Sequence, residues 1–569
     1  MKKFLFLVVL AVLSACADVF VDENLLADGK YTLTVEATKG GNEALTKALG
    51  LSGSTLNATW TLGDVVKVYK GGNEIGELTA QSNGATTKLR GSVTTAPSAA
   101  DVLTLKYLSP AYSTQDGTLE TIATTCDYAV ASVTVTNFVN GNIFTSAATF
   151  ENQQAIVKFI LKDIATGNPS ISATKLSVTA GETTITVTPS SATDDFFVAI
   201  PAISAQAVSL SANITPGYVY TYEKPSATFA NSQYYEVTVK MTKQYADLGL
   251  LTADFVAVDG DVLKNSLNRD VSVAIANNAT VTLSGIYIYK PSSSQTIPGI
   301  TCNGNSTIIL ADGTSNSVEG RMSRPGIYVS SGNTLTIQGT GTLRAFGDYG
   351  GAGIGGASNY PCGNIRIEGG NIYAYGSTRS GNGAAGIGGG PTAEYGDITI
   401  TGGTITAYGY AKAAGIGGGY YGYANSTITI SGGSVTAQGG ADAAAIGAGY
   451  GTTNYLHYCG SISITGGTVT ATCGTGAAAV IGRSSVDNGC GDITISGSPS
   501  VTLNNPNNSG FPVELSSFIN TGKTIYLAQM VWEPSSSLEY SDANTWEDNY
   551  YHVEFGCLTA QQFVYRPTN

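Results

Sequence analysis

A chain of 569 residues is too long for one hydrophobic core, so several domains are expected. Charged residues make up only 12% of it, 71 are glycine, and Thr, Ser, Val, Ile and Tyr recur in short alternating runs, which reads as all-β with many turns and not as a disordered chain. The formal charge of −13 disfavours nucleic acid and anionic lipid as partners.

Lys2 and Lys3 followed by the apolar run Phe4 to Leu13 form an export signal, too short to span a bilayer as a mature helix. The run ends in Leu13-Ser-Ala-Cys16, which resembles a lipobox. The resemblance implies removal of residues 1–15, lipidation of Cys16, a tether over residues 16–29, and a place on the outer membrane at the cell surface. Membrane contact is expected only through that lipid.

Residues 30–243 read as short strands. Tyr31-Thr-Leu-Thr-Val-Glu36, Val65-Val-Lys-Val-Tyr69, Ser132-Val-Thr-Val-Thr136 and Tyr235-Glu-Val-Thr-Val-Lys240 alternate, and turn-formers such as Lys70-Gly-Gly-Asn73 separate them. This spacing predicts two β-sandwich lobes, residues 30–160 and 161–243, with Trp60, Phe150 and Phe159 in their cores. Trp60-Thr-Leu-Gly-Asp64-Val-Val-Lys-Val-Tyr69, Phe150-Glu-Asn-Gln-Gln-Ala-Ile-Val-Lys-Phe159 and Phe229-Ala-Asn-Ser-Gln-Tyr-Tyr-Glu-Val-Thr-Val-Lys240, in that order, resemble the fimbrillin-like lipoproteins of Bacteroidetes pili. The resemblance implies a surface role and, for pilus-forming members, strand donation after cleavage at an arginine near the N-terminus. The first arginine here is Arg90, inside the module, so a tip or stand-alone lipoprotein is the more natural expectation.

After a linker at 244–258, residues 259–510 are repetitive. Asp397-Ile-Thr-Ile-Thr-Gly402-Gly-Thr-Ile-Thr-Ala-Tyr408 has relatives beginning at Asn364, Thr427 and Ser461, and the marker glycines 339, 369, 402, 432, 466 and 497 step by 30, 33, 30, 34 and 31. A second marker, Gly386-Ile-Gly-Gly389 and its counterparts, follows each. Period-two alternation within a thirty-residue unit excludes helical repeats and predicts rungs of a right-handed parallel β-helix. Ile398, Ile400, Ile405 and Ala407 are expected to point inward and Thr399, Thr401, Thr404 and Thr406 outward. Residues 511–569 leave the repeat and are expected to cap its end.

Insertions follow each Gly-Ile-Gly marker, so they crowd one side of the rod. Tyr395, Tyr420, Tyr421, Tyr423, Tyr450, Tyr455 and Tyr458 lie in or beside them, and Tyr373, Tyr375, Tyr408 and Tyr410 on adjoining strands. Aromatic faces with polar tips suit sugar rings, which makes these the candidate ligand-binding residues, with strand-forming or loop-covering tyrosines as the alternative. Cys362, Tyr395, Asn425, Cys459 and Cys490 share a column in this register, and neighbouring rungs place Cys459 and Cys490 within disulfide range.

Ile308-Ile-Leu-Ala-Asp-Gly-Thr-Ser-Asn316, Gly326-Ile-Tyr-Val and Thr334-Leu-Thr-Ile-Gln-Gly-Thr-Gly-Thr-Leu343 resemble a β-helical carbohydrate-binding family. The resemblance implies polysaccharide binding, with calcium in some members, although no calcium ligands can be matched. No cofactor, metal site or catalytic cluster is predicted. The expected role is an adhesin or carbohydrate-binding module whose partners are polysaccharides, glycoconjugates or surface proteins. A fimbrial structural or tip subunit, with other fimbrial subunits as partners, is the first alternative. A polysaccharide lyase or hydrolase is the second.

Overall fold

The computed structural model describes residues 30–39, 50–52, 55–289, 296–377, 383–451, 458–484, 490–497, 499–505, 511–513, 531–532 and 561–565. Cys16, the export signal, the tether, Tyr455 and most of the expected cap lie outside these residues. Two compact units divide the chain, Met1–Thr215 with Tyr220–Lys243, and Pro216–Val219 with Gln244–Asn569. Among the described residues, no helix is long and apolar enough to cross a membrane.

The first unit begins with an eight-stranded sheet. Tyr31–Lys39 pairs antiparallel with Thr86–Val93 on one side and parallel with Asn142–Thr145 and Ala148–Asn152 on the other, so the sheet closes on itself. This lobe is thus a barrel-like form of the expected β-sandwich lobe. Alternation puts Leu33, Val35, Leu89, Leu103, Leu105, Trp60 and Phe150 inside, nearly free of solvent. The second lobe starts earlier than residue 161. Gln154–Asp163 is one uninterrupted strand, paired with Asp195–Pro201 and with Tyr234 onward, and its inward Phe159 belongs to that lobe. A boundary at 160 would cut a single alternating run.

The second unit is a parallel β-solenoid. Each full turn supplies three short strands, exemplified by Ile398–Ile400 on an isoleucine face, Thr404–Tyr408 on a threonine face and Ile416–Gly417 on a glycine face. Ile337, Ile367, Ile400, Ile430, Ile464 and Ile495 pair in one column, and Leu343, Ile372, Ile405, Val435, Val469 and Val501 in another. All are essentially buried except Ile495, at 7% exposure, while Thr399, Thr401, Thr404 and Thr406 face outward. Each buried Ile or Val contributes roughly 1.5–3 kcal/mol relative to exposure, so the columns supply the core.

The corners follow from glycine chemistry. The second glycine of each pair, Gly370, Gly403, Gly433 and Gly467, has φ between +80° and +93°, where a side chain would be strained. The expected linker is not a linker. Leu248, Leu251, Phe255 and Ala257 lie in the solenoid core, and Phe255–Ala257 pairs with Val273–Ile275, so the first rung starts there without any Gly-Ile-Gly phrase to mark it. At the far end Gln561–Tyr565 pairs antiparallel with Ser500–Asn505, which occupies the last open edge of the threonine face.

Candidate functional site

The inserted loops stack as regularly as the strands beneath them. Asn359 N–H donates to Pro391 O at 3.0 Å, Thr392 N–H to Tyr420 O at 2.8 Å, Tyr421 N–H to Tyr450 O at 2.8 Å and Ala424 N–H to Tyr458 O at 2.8 Å. Tyr420 N–H and Tyr450 N–H also donate to Gly383 O and Lys412 O, in the loops entering the glycine face. Loops from both ends of each short strand thus meet over it, and residues 384–390, 413–419 and 443–449 are wholly buried. The insertions form a second, outer layer on one side of the solenoid.

Three candidate tyrosines gather on that layer. Tyr420 and Tyr421 have ring centroids 4.0 Å apart, and Tyr420 and Tyr450 stack at 5.9 Å with planes 8° apart. The Lys412 ammonium lies 3.9 Å from the Tyr450 centroid and 3.7 Å from the Asp442 carboxylate. A hydrogen bond with Tyr421, together with desolvation, pushes the Tyr420 hydroxyl up to about 12.

The remaining candidates divide. Tyr375 and Tyr408 continue a ladder with Phe346 on the threonine face, with centroids 4.9 and 5.2 Å apart and planes within 8°. Tyr373 lies beside it under the Arg344 guanidinium at 4.6 Å. Tyr410, Tyr423 and Tyr458 are exposed. Tyr395 is not available to a ligand. Its side chain is buried in the solenoid core and its hydroxyl donates to Cys459 O at 3.0 Å. The reason is one residue of register. The bridge between Glu394 and Tyr423 aligns Tyr395 with Ala424, not Asn425, which points to solvent. The small Ala424 leaves space for the Tyr395 ring, which reaches past it to the Cys459 rung.

Cys459 and Cys490 form a disulfide with Cα atoms 4.7 Å apart, beside the paired strands Ile462–Ile464 and Ile493–Ile495. Asp397 bridges rungs, its Oδ1 accepting from Thr427 N–H at 2.7 Å while its own N–H donates to Asn364 Oδ1 at 2.8 Å. Among the described residues, no three His, Cys, Asp or Glu side chains gather so as to hold a metal ion.

One recess escaped the sequence reading. Met322, Ser323, Arg324, Tyr349, Ser358 and Tyr360 line a hollow of about 450 Å³ on the earlier rungs. Arg324 lies 4.0 Å from the Tyr360 centroid, and the Tyr349 and Tyr360 rings are 45% and 48% exposed. Met322, Ser323 and Tyr349 all have φ between +43° and +71°, at a cost of order 1 kcal/mol each. Met322 N–H is held by Asp348 Oδ2 at 2.9 Å. Comparing the residues just before Gly326-Ile327 and Gly353-Ile354 would have grouped Arg324 with Tyr349.

A family model described as a β-helix repeat matches residues 335–358, 365–391, 398–420, 428–450 and 462–479. No curated protein matches the chain. Among solved structures, a proposed cell adhesion protein of Bacteroides uniformis is similar at 13% identity and a TM-score of 0.23, over 38% of this chain and 97% of that one. A fimbrial assembly protein of Parabacteroides distasonis is similar at 12% identity and a TM-score of 0.25, over 37% and 90%. A tip fimbrial protein of Porphyromonas gingivalis, truncated at its C-terminus, is similar at 9% identity and a TM-score of 0.23, over 38% and 98%. Residues 335–479 are thus a run of β-helix repeats, and the other described residues of the chain are mainly strand.

Proposed function

We propose that this chain is a non-catalytic cell-surface adhesin that binds acidic glycans through the loop-covered side of its solenoid. The observation that carries the reading is the grouping of tyrosine rings with cations on that one side, Arg324 with the exposed Tyr349 and Tyr360, and Lys412 with the half-buried Tyr420 and Tyr450, against which Tyr421 packs. Aromatic faces stack on the apolar faces of sugar rings, and a neighbouring cation selects for carboxylate or sulfate. The rigid rungs hold these groups in place, so little ordering entropy opposes binding.

On a glycan array, the full-length chain is expected to retain uronate-containing or sulfated glycans. Tyr420→Ala with Tyr421→Ala removes two platforms, each contributing about 0.5–1.5 kcal/mol beyond its buried area, so affinity falls roughly 5- to 150-fold. Tyr395→Phe, which alters only a buried hydroxyl, leaves binding unchanged. Failure to retain any glycan sinks the proposal.

The lipobox-like Leu13-Ser-Ala-Cys16 supports attachment through acyl chains at Cys16, each buried CH₂ contributing about 0.8 kcal/mol. Cys16→Ser is expected to move the protein from the membrane pellet to the soluble fraction. A variant that stays in the pellet after a high-salt wash contradicts a lipid anchor.

A further inference from the structure

Lys39 ends the first strand of the N-terminal barrel, Tyr31–Lys39, and is buried to 2% exposure. Its ammonium nitrogen lies 3.5 Å from Asp127 Oδ2, and Asp127 is equally buried. The Tyr107 ring centroid is 3.6 Å from the same nitrogen and that of Trp60 4.6 Å. The other carboxyl oxygen, Asp127 Oδ1, accepts from the carboxamides of Asn152 and Gln154, the latter at 3.2 Å. Asp64 shares the small recess around the pair and hydrogen-bonds the Tyr107 hydroxyl.

We propose that Lys39 and Asp127 condense into an intramolecular isopeptide bond, Nζ to Cγ, stapling the first strand to the segment that leads into Ala129–Val139. An amine and a carboxyl in contact, walled by aromatic rings, are held as an intramolecular reaction requires. Burial lowers the Lys39 pKa and raises that of Asp127, so both partners are displaced toward the neutral amine and neutral acid that react. Transfer of one proton within the pair gives –NH₂ and –COOH. The nitrogen lone pair adds to Cγ, and the negative charge that develops on Oδ1 is met by the N–H groups of Asn152 and Gln154. A proton leaves the nitrogen by way of the Asp64 carboxylate and returns to Oδ2. The Cγ–Oδ2 bond then breaks and water departs. The amide keeps one N–H, nothing is oxidised or reduced, and the chain loses one water.

The link has a mechanical consequence. Load entering at residue 30 passes along Tyr31–Lys39 and across to Asp127, so residues 40–126 carry none of it. It also ties the first strand into the barrel covalently, which prevents that strand from being vacated for another subunit.

Tryptic mapping of the reduced full-length protein by tandem mass spectrometry tests this. Peptides 31–47 and 107–158 are expected to run as one species, lighter than their sum by one water, with fragments locating the bond at Lys39 and Asp127. Finding the two peptides separate overturns the proposal and leaves a buried ion pair. A joined species lighter by ammonia overturns it as well, because that loss places the bond on Asn152, which lies in the same peptide. In freshly refolded protein, Asp64→Asn is expected to slow conversion at least tenfold. An unchanged rate overturns the assigned proton route.

Discussion

Gly417→Ala lowers the stability of the solenoid by at least about 3 kcal/mol, while Gly332→Ala costs about 1 kcal/mol. The two glycines differ in what surrounds them. Gly332 has φ +80° with nothing near its missing Cβ, so alanine meets only the intrinsic penalty of left-handed backbone. Gly417 has φ +128°, a region open in practice only to glycine, and a methyl there runs into the carbonyl oxygen of Gly447 on the next rung. The same clash recurs along the column, Gly355 against Gly388, Gly388 against Gly417 and Gly447 against Gly482, with φ between +118° and +135° throughout. No rearrangement of one rung relieves it, because the obstacle is the backbone of the neighbour. Guanidinium denaturation of each variant supplies the comparison. Hydrogen exchange at Ile416 and Ile446 shows whether the loss is centred on that rung, as expected for a solenoid whose stability is summed between neighbours. A Gly417→Ala cost within 1 kcal/mol of the Gly332→Ala cost is incompatible with this account of the glycine face.

The features that a periodic sequence makes legible are those that repeat. The isoleucine columns, the glycine corners and the side carrying the insertions follow from aligning Gly402 with its relatives, since each rung must repeat the same inward and outward choices. What breaks the repeat was hidden. The first rung, around Phe255–Ala257, lacks the marker phrase and looked like a linker. Tyr395 was grouped with the loop tyrosines because it ends an insertion, and its true neighbour was missed because the next loop is one residue out of register, which makes Ala424 and not Asn425 the inward position. The Arg324 recess draws on four separated stretches of chain, none of them distinctive alone. In the N-terminal lobe, Trp60 and Phe150 were legible as core, but barrel closure depends on which strands pair over long sequence distances. The Lys39–Asp127 pair escaped for the same reason, because nothing local marks a lysine whose partner lies 88 positions away.

Raising the pH from 9 to 12 is expected to destabilise the solenoid by at most about 3 kcal/mol per pH unit through two thiols alone. Cys302 and Cys362 are buried in the solenoid core, and loss of hydration pushes each thiol from an ordinary 9.0 up to about 12. Below pH 9 both the folded and unfolded chains keep these protons, so the thiols leave stability independent of pH. Between 9 and 12 the unfolded chain gives them up while the folded chain holds them, so stability falls as pH rises, by roughly 1.36 kcal/mol per unit for each thiol. Above 12 both states are ionised and the loss levels off. Tyr395 acts in the same direction from pH 10 upward, since burial raises its hydroxyl above that ordinary value too. Lysines and exposed tyrosines also titrate in this range, so the informative quantity is the difference between the native chain and Cys302→Ala with Cys362→Ala. The double variant starts lower at pH 8, having lost two packed sulfurs, and then declines less steeply, so that its deficit relative to the native chain shrinks steadily as the pH rises above 9. Parallel curves across that range exclude the buried thiols as the source of alkaline instability and with them the dry interior assigned to the stacked rungs.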